Sequence, residues 1–393
     1  MNPAIFRRGL TIATALLTLA VGLGGPPAAA ADGPGSAPYL PRPTGPRAVG
    51  TTSLHLTDDN RPDPWASGVN ARELMVSLWY PTASPNGRRA QYMTPTESGL
   101  LLEEGGISGV PLDVLSTTRT NAFADARPAG STRNLPLVVL SPGFTKPRTT
   151  LTTLAEDLAS HGYVVAAIDH TYESVATTFP DGRVATCTAC EVPHDEAFWI
   201  RLVTSRAADV SFVLDELTKA HAEWDGSRLI DPSRIAMAGH SVGGASAVTS
   251  MLADPRVRAG IDIDGTTQVP IPDSGLSRPF LFLGREAQYS PGSGDGAVAT
   301  WERDWQRLTG WKRWLVVAGA EHASFTDIGL LAEQLGIDIG AELPAARASE
   351  IVRRYSRAFL DLHLRNRPQP LLDKPSMRYP QVHLCTPETS TCV

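Results

Sequence analysis

The chain has 393 residues, room for one large or two ordinary domains, and a hydrophobic share of 42%, typical of a soluble globular protein. It carries 35 basic against 41 acidic residues, net −6, with no basic cluster, which argues against nucleic acid as a partner. No apolar run is long enough for an integral membrane span.

The first 30 residues read as a secretory signal: Arg7 and Arg8 form a basic start, Gly9 to Leu23 an apolar stretch, and Ala28-Ala29-Ala30 a small-residue cleavage site. The arginine pair permits twin-arginine export, but its flanks fit the general route better. Cleavage after Ala30 or Ala31 leaves 33 basic residues, net −8. An exported chain should pair its four cysteines, and proximity favours Cys187–Cys190 and Cys385–Cys392 as structural clips. No second C-x-x-C lies near the first, which argues against zinc. Cys187 sits in a Thr-rich loop and not at a helix start, which argues against a redox role.

Residues 31–50, rich in Pro, Gly and Ala, read as a disordered leader. Thr51–Leu56 and Arg72–Tyr80 look like opening strands, and the alternation of Leu74, Val76, Leu78 and Tyr80 suits a half-exposed antiparallel edge. Thr94–Thr118 suggests one or two short helices, either a flap over a site or a surface insertion. A βα rhythm begins at Leu135. Strands are expected at Leu137–Leu140, Tyr163–Ile168, Ile235–Ala238, Gly260–Ile263, Phe280–Leu283 and Trp314–Val317. Helices are expected at Thr149–His161, Glu196–Glu223, Gly244–Leu252, Trp301–Leu308 and Ser349–Leu364, with Ile200, Val203, Ala207 and Val210 on one face of the second. Such alternation means a mostly parallel sheet covered on both faces, a single α/β domain over 51–393. Its tail, 367–393, carries little secondary-structure signal.

Chemistry concentrates at Gly239-His240-Ser241-Val242-Gly243, a G-x-S-x-G between strand and helix. A serine on such a sharp turn projects its hydroxyl clear of the backbone, and the flanking glycines let strand and helix close around it. The hydroxyl still needs a base, and the base an orienting acid. In this arrangement nucleophile, acid and base follow one another along the chain, which excludes every histidine before Ser241. His363 falls in a helical pattern and His383 in the irregular tail. His322, in a loop just past the last expected strand, is the candidate base. Asp264, at the end of Gly260-Ile-Asp-Ile-Asp-Gly265, is the preferred acid. Glu286 is its competitor, and Asp262 is expected to be a structural hydrogen-bonding acid. The amides of Val242 and Phe144 are candidate oxyanion donors, Gly143 allowing the turn that would aim the second inward. No metal or cofactor is expected.

Leu137-Val-Val-Leu-Ser-Pro-Gly-Phe144 with Arg148-Thr149, Asp157-Leu-Ala-Ser-His-Gly-Tyr-Val-Val-Ala-Ala-Ile-Asp-His170, and Gly239-His-Ser-Val-Gly-Gly244 resemble the plasma-type platelet-activating-factor acetylhydrolases and related bacterial lipase-like hydrolases. The resemblance covers about half the chain. It implies an α/β-hydrolase fold and metal-free hydrolysis of esters or lipids with short or modified acyl chains. Residue by residue it implies Ser241, Asp264 and His322 as the catalytic set, with Phe144 and Val242 as oxyanion donors. Pro142 stands where that family often has His. The expectation is therefore a secreted serine ester hydrolase. A serine peptidase or polyester hydrolase of the same fold is the alternative, and a non-catalytic binding protein the more distant one.

Overall fold

Short apolar runs separated by helical stretches must bury two faces each, and the chain does this with one large sheet. The computed structural model describes residues 37–130, 132–294 and 296–393, so the expected signal lies outside the described residues. In chain order the strands are β1 Val49–Asp58, β2 Arg72–Pro81, β3 Arg89–Gln91, β4 Arg119–Ala124, β5 Leu135–Ser141, β6 Val164–His170, β7 Thr177–Thr178, β8 Val184–Ala185, β9 Ile230–His240, β10 Val257–Ile263, β11 Phe280–Arg285, β12 Lys312–Val317, β13 Val382–Thr386 and β14 Thr391–Cys392. The helices are α1 Pro95–Glu104, α2 Thr152–Ser160, α3 Glu196–Thr218, α4 Val242–Ala253, α5 Glu286–Tyr289, α6 Gly296–Trp305, α7 Asp327–Gln334 and α8 Ala345–Arg365. Twelve strands join in the order β14-β13-β12-β11-β10-β9-β5-β6-β2-β1-β4-β3, and β7 and β8 form a separate hairpin. The stretch from β12 to β6 is parallel, while β2 runs antiparallel to β6. This is the α/β-hydrolase arrangement.

Period-two alternation sorts side chains to the two faces. Leu137, Val139, Ile235 and Met237 meet Val210, Val213, Val248 and Trp301 of α3, α4 and α6 on one side. Val138, Leu140, Ala236 and Ala238 meet Leu154, Leu158, Tyr355 and Phe359 of α2 and α8 on the other. Each such large apolar side chain, buried completely, contributes about 1.5–3 kcal/mol. Among the described residues no helix is long and apolar enough to cross a membrane. The cysteines pair as Cys187–Cys190 and Cys385–Cys392, the second joining β13 to β14.

Several local expectations need correction. Strand β2 is interior, paired with β6 on one side and β1 on the other, and it is not half-exposed, because Met75 on its second face is covered by Phe179 and Ala185 of the hairpin region. Residues 37–50 are not a free leader: Leu40 is buried, its amide donates to the Arg119 carbonyl (2.9 Å), and Thr44 is held by Asp157 (2.8 Å). Ile200 lies on the exposed side of α3, whose buried face runs through Leu202, Val203, Arg206 and Val210. The tail adds β13 to the sheet edge, placing His383 on a strand. Helix α7, unexpected from the sequence, follows the short turn that carries His322.

Candidate active site

The parallel strands deliver their following loops to one edge of the sheet, and Ser241, Asp264, His322 and Phe144 all lie there, after β9, β10, β12 and β5. Ser241 has φ 57° and ψ −128°, a backbone conformation costing about 1–3 kcal/mol for a residue with a β-carbon. Its own backbone is anchored on both sides. The Ser241 amide donates to the Ile263 carbonyl (2.8 Å), and the Ser241 carbonyl accepts from Gly244 (2.8 Å) and Ala245 (3.1 Å). The turn closes only without side chains: a Cβ on Gly239 would stand 2.2 Å from the Gly243 carbonyl carbon, and one on Gly243 2.0 Å from the Ser141 carbonyl oxygen.

Asp264 is buried, also with positive φ (56°), and its amide donates to the Leu283 carbonyl (2.9 Å). One carboxylate oxygen accepts from the Arg285 amide (2.7 Å) and the other from Nδ1 of His322 (2.5 Å). The Arg285 guanidinium stands 3.5 Å from the second oxygen. With Nδ1 committed to the carboxylate, Nε2 of His322 is left as an acceptor. The His322 backbone is fixed separately: Glu321 and Ser324 close a capping box around the short helical turn His322–Phe325, and Nε2 of His240 donates to the His322 carbonyl (2.9 Å). Burial, reinforced by neighbouring His322, pushes the His240 imidazole well below its ordinary range. It therefore stays neutral.

Glu286 does not join this set; its carboxylate accepts from Nδ1 of His383 (2.7 Å). Asp262 is fully buried directly behind the turn, and burial, with Asp264 nearby, raises its carboxyl well above the usual range. The Gly265 amide and the Trp301 indole face it and oppose that rise, but neither makes a well-formed hydrogen bond to its oxygens, the indole N–H donating to the Gly265 carbonyl (2.6 Å). His240, Asp264 and His322 bring one possible metal ligand each within 4.8 Å, the only such trio among the described residues. An ion there would have to displace the His322–Asp264 hydrogen bond.

The loop after β5 lies against the serine turn: a Cβ on Gly143 would come within 3.4 Å of the Ser241 Cβ and His240 Nδ1. Gly143 thus packs close to the serine turn, while the positive φ falls two residues later, at Thr145 (68°). Ser241 and His322 open into a cavity of about 290 Å³ walled by Leu101, Leu102, Leu115, Leu331, Leu335 and Ile337. Helix α1 is therefore a wall of the site. At its end Glu104 pairs with Lys146 and accepts from the Thr145 hydroxyl (2.7 Å). Sequence reasoning missed the α7 side of this wall, although Ile328, Leu331 and Leu335 already carry helical spacing. It had no signal for Arg285 or Lys146.

The model of the platelet-activating factor acetylhydrolase, isoform II, family matches residues 36–223 and 225–369. A probable 1-alkyl-2-acetylglycerophosphocholine esterase of Arthroderma benhamiae is 28% identical over 87% of this chain and 92% of its own. The platelet-activating factor acetylhydrolase of Cavia porcellus is 24% identical over 83% of this chain and 78% of its own. Among solved structures, a ferulic acid esterase from Streptomyces cinnamoneus is 42% identical with TM-score 0.80, covering 89% of this chain and 100% of that one. A strand–turn–helix serine, a carboxylate-bound histidine and these relatives agree: the chain belongs to the platelet-activating factor acetylhydrolase, isoform II, family and is a carboxylic ester hydrolase.

Proposed function

We propose that Ser241 is the nucleophile, His322 the general base and Asp264 the orienting acid, with the Phe144 and Val242 amides holding the oxyanion. The observation that carries this reading is the 2.5 Å Nδ1–Oδ2 hydrogen bond, joined to a cavity that both Ser241 and His322 line. Ser241 attacks the acyl carbonyl while Nε2 of His322 takes its proton. The imidazolium is stabilised by Asp264 and returns that proton to the leaving alcohol. Water then attacks the acyl-enzyme by the same route and frees Ser241. Val242 opens α4, so the helix dipole adds partial positive charge where the oxyanion forms.

The cavity walls are mostly apolar, which favours an apolar acyl group. The structural relative of 42% identity is a ferulic acid esterase, so an arylalkenoyl ester is the substrate class we favour, ahead of an acetylated phospholipid. The signal-like start and the two disulfides support export. A mature chain recovered from medium should begin at Ala31 or Asp32; recovery only from cells, with Met1 retained, would contradict this. A panel of methyl hydroxycinnamates, p-nitrophenyl esters of rising chain length and an acetylated phospholipid tests the substrate. Preference for the phospholipid would overturn the arylalkenoyl assignment. A fluorophosphonate should label wild type and fail on Ser241→Ala; labelling of that variant would overturn the nucleophile.

A further inference from the structure

Beneath the loop that carries Phe144 lies a second serine, histidine and aspartate, from β5, β6 and α3. Ser141 Oγ is 2.9 Å from His170 Nε2, and His170 Nδ1 is 2.8 Å from Asp209 Oδ2. All three are buried, and none lines a described cavity. Burial, then the charge of Arg206, lowers the proton affinity of His170, so the ring is neutral. The direction of each bond follows. Nδ1–H donates to Asp209, Nε2 accepts the Ser141 hydroxyl proton, and the Ser141 oxygen accepts from Nη1 of Arg206 (3.1 Å).

Arg206 also donates to the Pro142 carbonyl (2.5 Å), and its Nε donates to Glu173 (2.7 Å). One residue on, the Gly143 carbonyl accepts from the Lys146 amide (3.2 Å). Thr145 is pinned at both ends, its amide donating to the Glu173 carbonyl (2.9 Å) and its carbonyl accepting from Val175 (2.9 Å). A trans peptide points its N–H opposite to its C=O. Holding the Gly143 carbonyl toward Lys146 therefore turns the Phe144 N–H the other way. The Pro142 plane before it is set by Arg206, and proline itself offers no N–H to compete.

We infer that Ser141, His170, Asp209 and Arg206 are positioning residues for the oxyanion loop: they set the peptide planes that aim the Phe144 amide, and take no part in bond making. This rests on the proposed role of Phe144, and the test separates the two. Hydrolysis of p-nitrophenyl acetate is compared with that of its thionoester, whose thiocarbonyl sulfur accepts hydrogen bonds poorly, so the oxygen-to-sulfur rate ratio reads the oxyanion donors. Ser141→Ala removes one oxygen atom and breaks the link between His170 and Arg206. The expected result is kcat on the oxoester down about tenfold, KM within about twofold, and the ratio down by a similar factor, since a positioning loss falls below that of deleting a donor. Ser141→Thr, which restores the hydroxyl, should recover the ratio. If Ser141→Ala does not fold, Arg206→Lys replaces it, because an ammonium cannot reach Glu173, Ser141 and Pro142 together. A large wild-type ratio that the variant leaves unchanged overturns the inference alone. A wild-type ratio no larger than that of hydroxide-catalysed hydrolysis overturns the role of Phe144 itself.

Discussion

The molecule contains a serine, a histidine and an aspartate twice, and the two sets share a histidine–aspartate hydrogen bond but differ in setting. In both, Nδ1 of a histidine donates to an aspartate, at 2.5 Å for His322–Asp264 and 2.8 Å for His170–Asp209. The His322 side chain is 45% exposed beside a cavity, and that of His170 is 1% exposed. Ser241 sits on a strained turn, whereas Ser141 ends a regular strand. Asp209 is surrounded by charge: Arg72 and Arg61 both donate to it, while Arg72 also reaches Asp63. Burial opposes ionisation of Asp209, but Arg72 and His170 outweigh it and hold the carboxyl below the usual range. Composition thus does not make a catalytic set. A nucleophile needs an accessible perch, and the same atoms enclosed by compensating charge form a strut.

The comparison breaks most directly if the two serines behave alike. Ser241→Ala should lower kcat/KM on p-nitrophenyl acetate by about 10⁵-fold while the chain stays folded. Ser141→Ala should cost about tenfold, since it disturbs only the aim of a donor. Equal losses, measured by steady-state kinetics, would abolish the distinction.

The aspartates should divide rate from stability. Asp264→Asn is expected to reduce kcat about 10⁴-fold, by presenting the wrong tautomer of His322, with the urea midpoint nearly unchanged. Asp209→Asn leaves Arg72 short of a buried counter-charge and should cost about 3–5 kcal/mol in urea unfolding. An Asp264 variant that loses stability instead of rate would reverse the assignment.

A finer effect is expected in acid. The folded proton affinity of His170 lies below the ordinary value of 6.5, through burial first and Arg206 second, with Asp209 and Glu173 opposing. The unfolded chain therefore binds more protons below that value. The stability due to the neutral ring is complete above pH 6.5 and declines as pH falls toward the folded value. His170→Gln should flatten the slope of unfolding free energy between about pH 7 and 5, and an unaltered slope would show the ring does not titrate this way. The smallest effect should come from Glu286→Gln: with its carboxylate on His383, turnover should stay within about twofold of wild type, and a 10⁴-fold loss would return it as the acid.

Much of this site could be read along the chain because its determinants are local. Gly239 and Gly243 bracket Ser241, an apolar run precedes it and a small-residue helix follows, so steric limits on the turn show within five residues. Asp264 and His322 follow strands whose apolar runs mark where the sheet's carboxyl edge must lie. The cysteine pairs, three and seven residues apart, leave little choice of partner.

Tertiary structure decided what depends on partners far along the chain. Whether β2 is an edge depended on its pairing with β6, about ninety positions away, whether its second face is exposed depended on Phe179 and Ala185, and whether residues 37–50 are ordered depended on Arg119 and Asp157. The cavity draws its walls from both α1 and α7, and the loop after β5 is held by Arg206, 64 residues from Pro142. Periodicity reports how each segment is shaped and which face it must bury. Which buried charge finds which carbonyl is settled only when the sheet brings distant strands side by side.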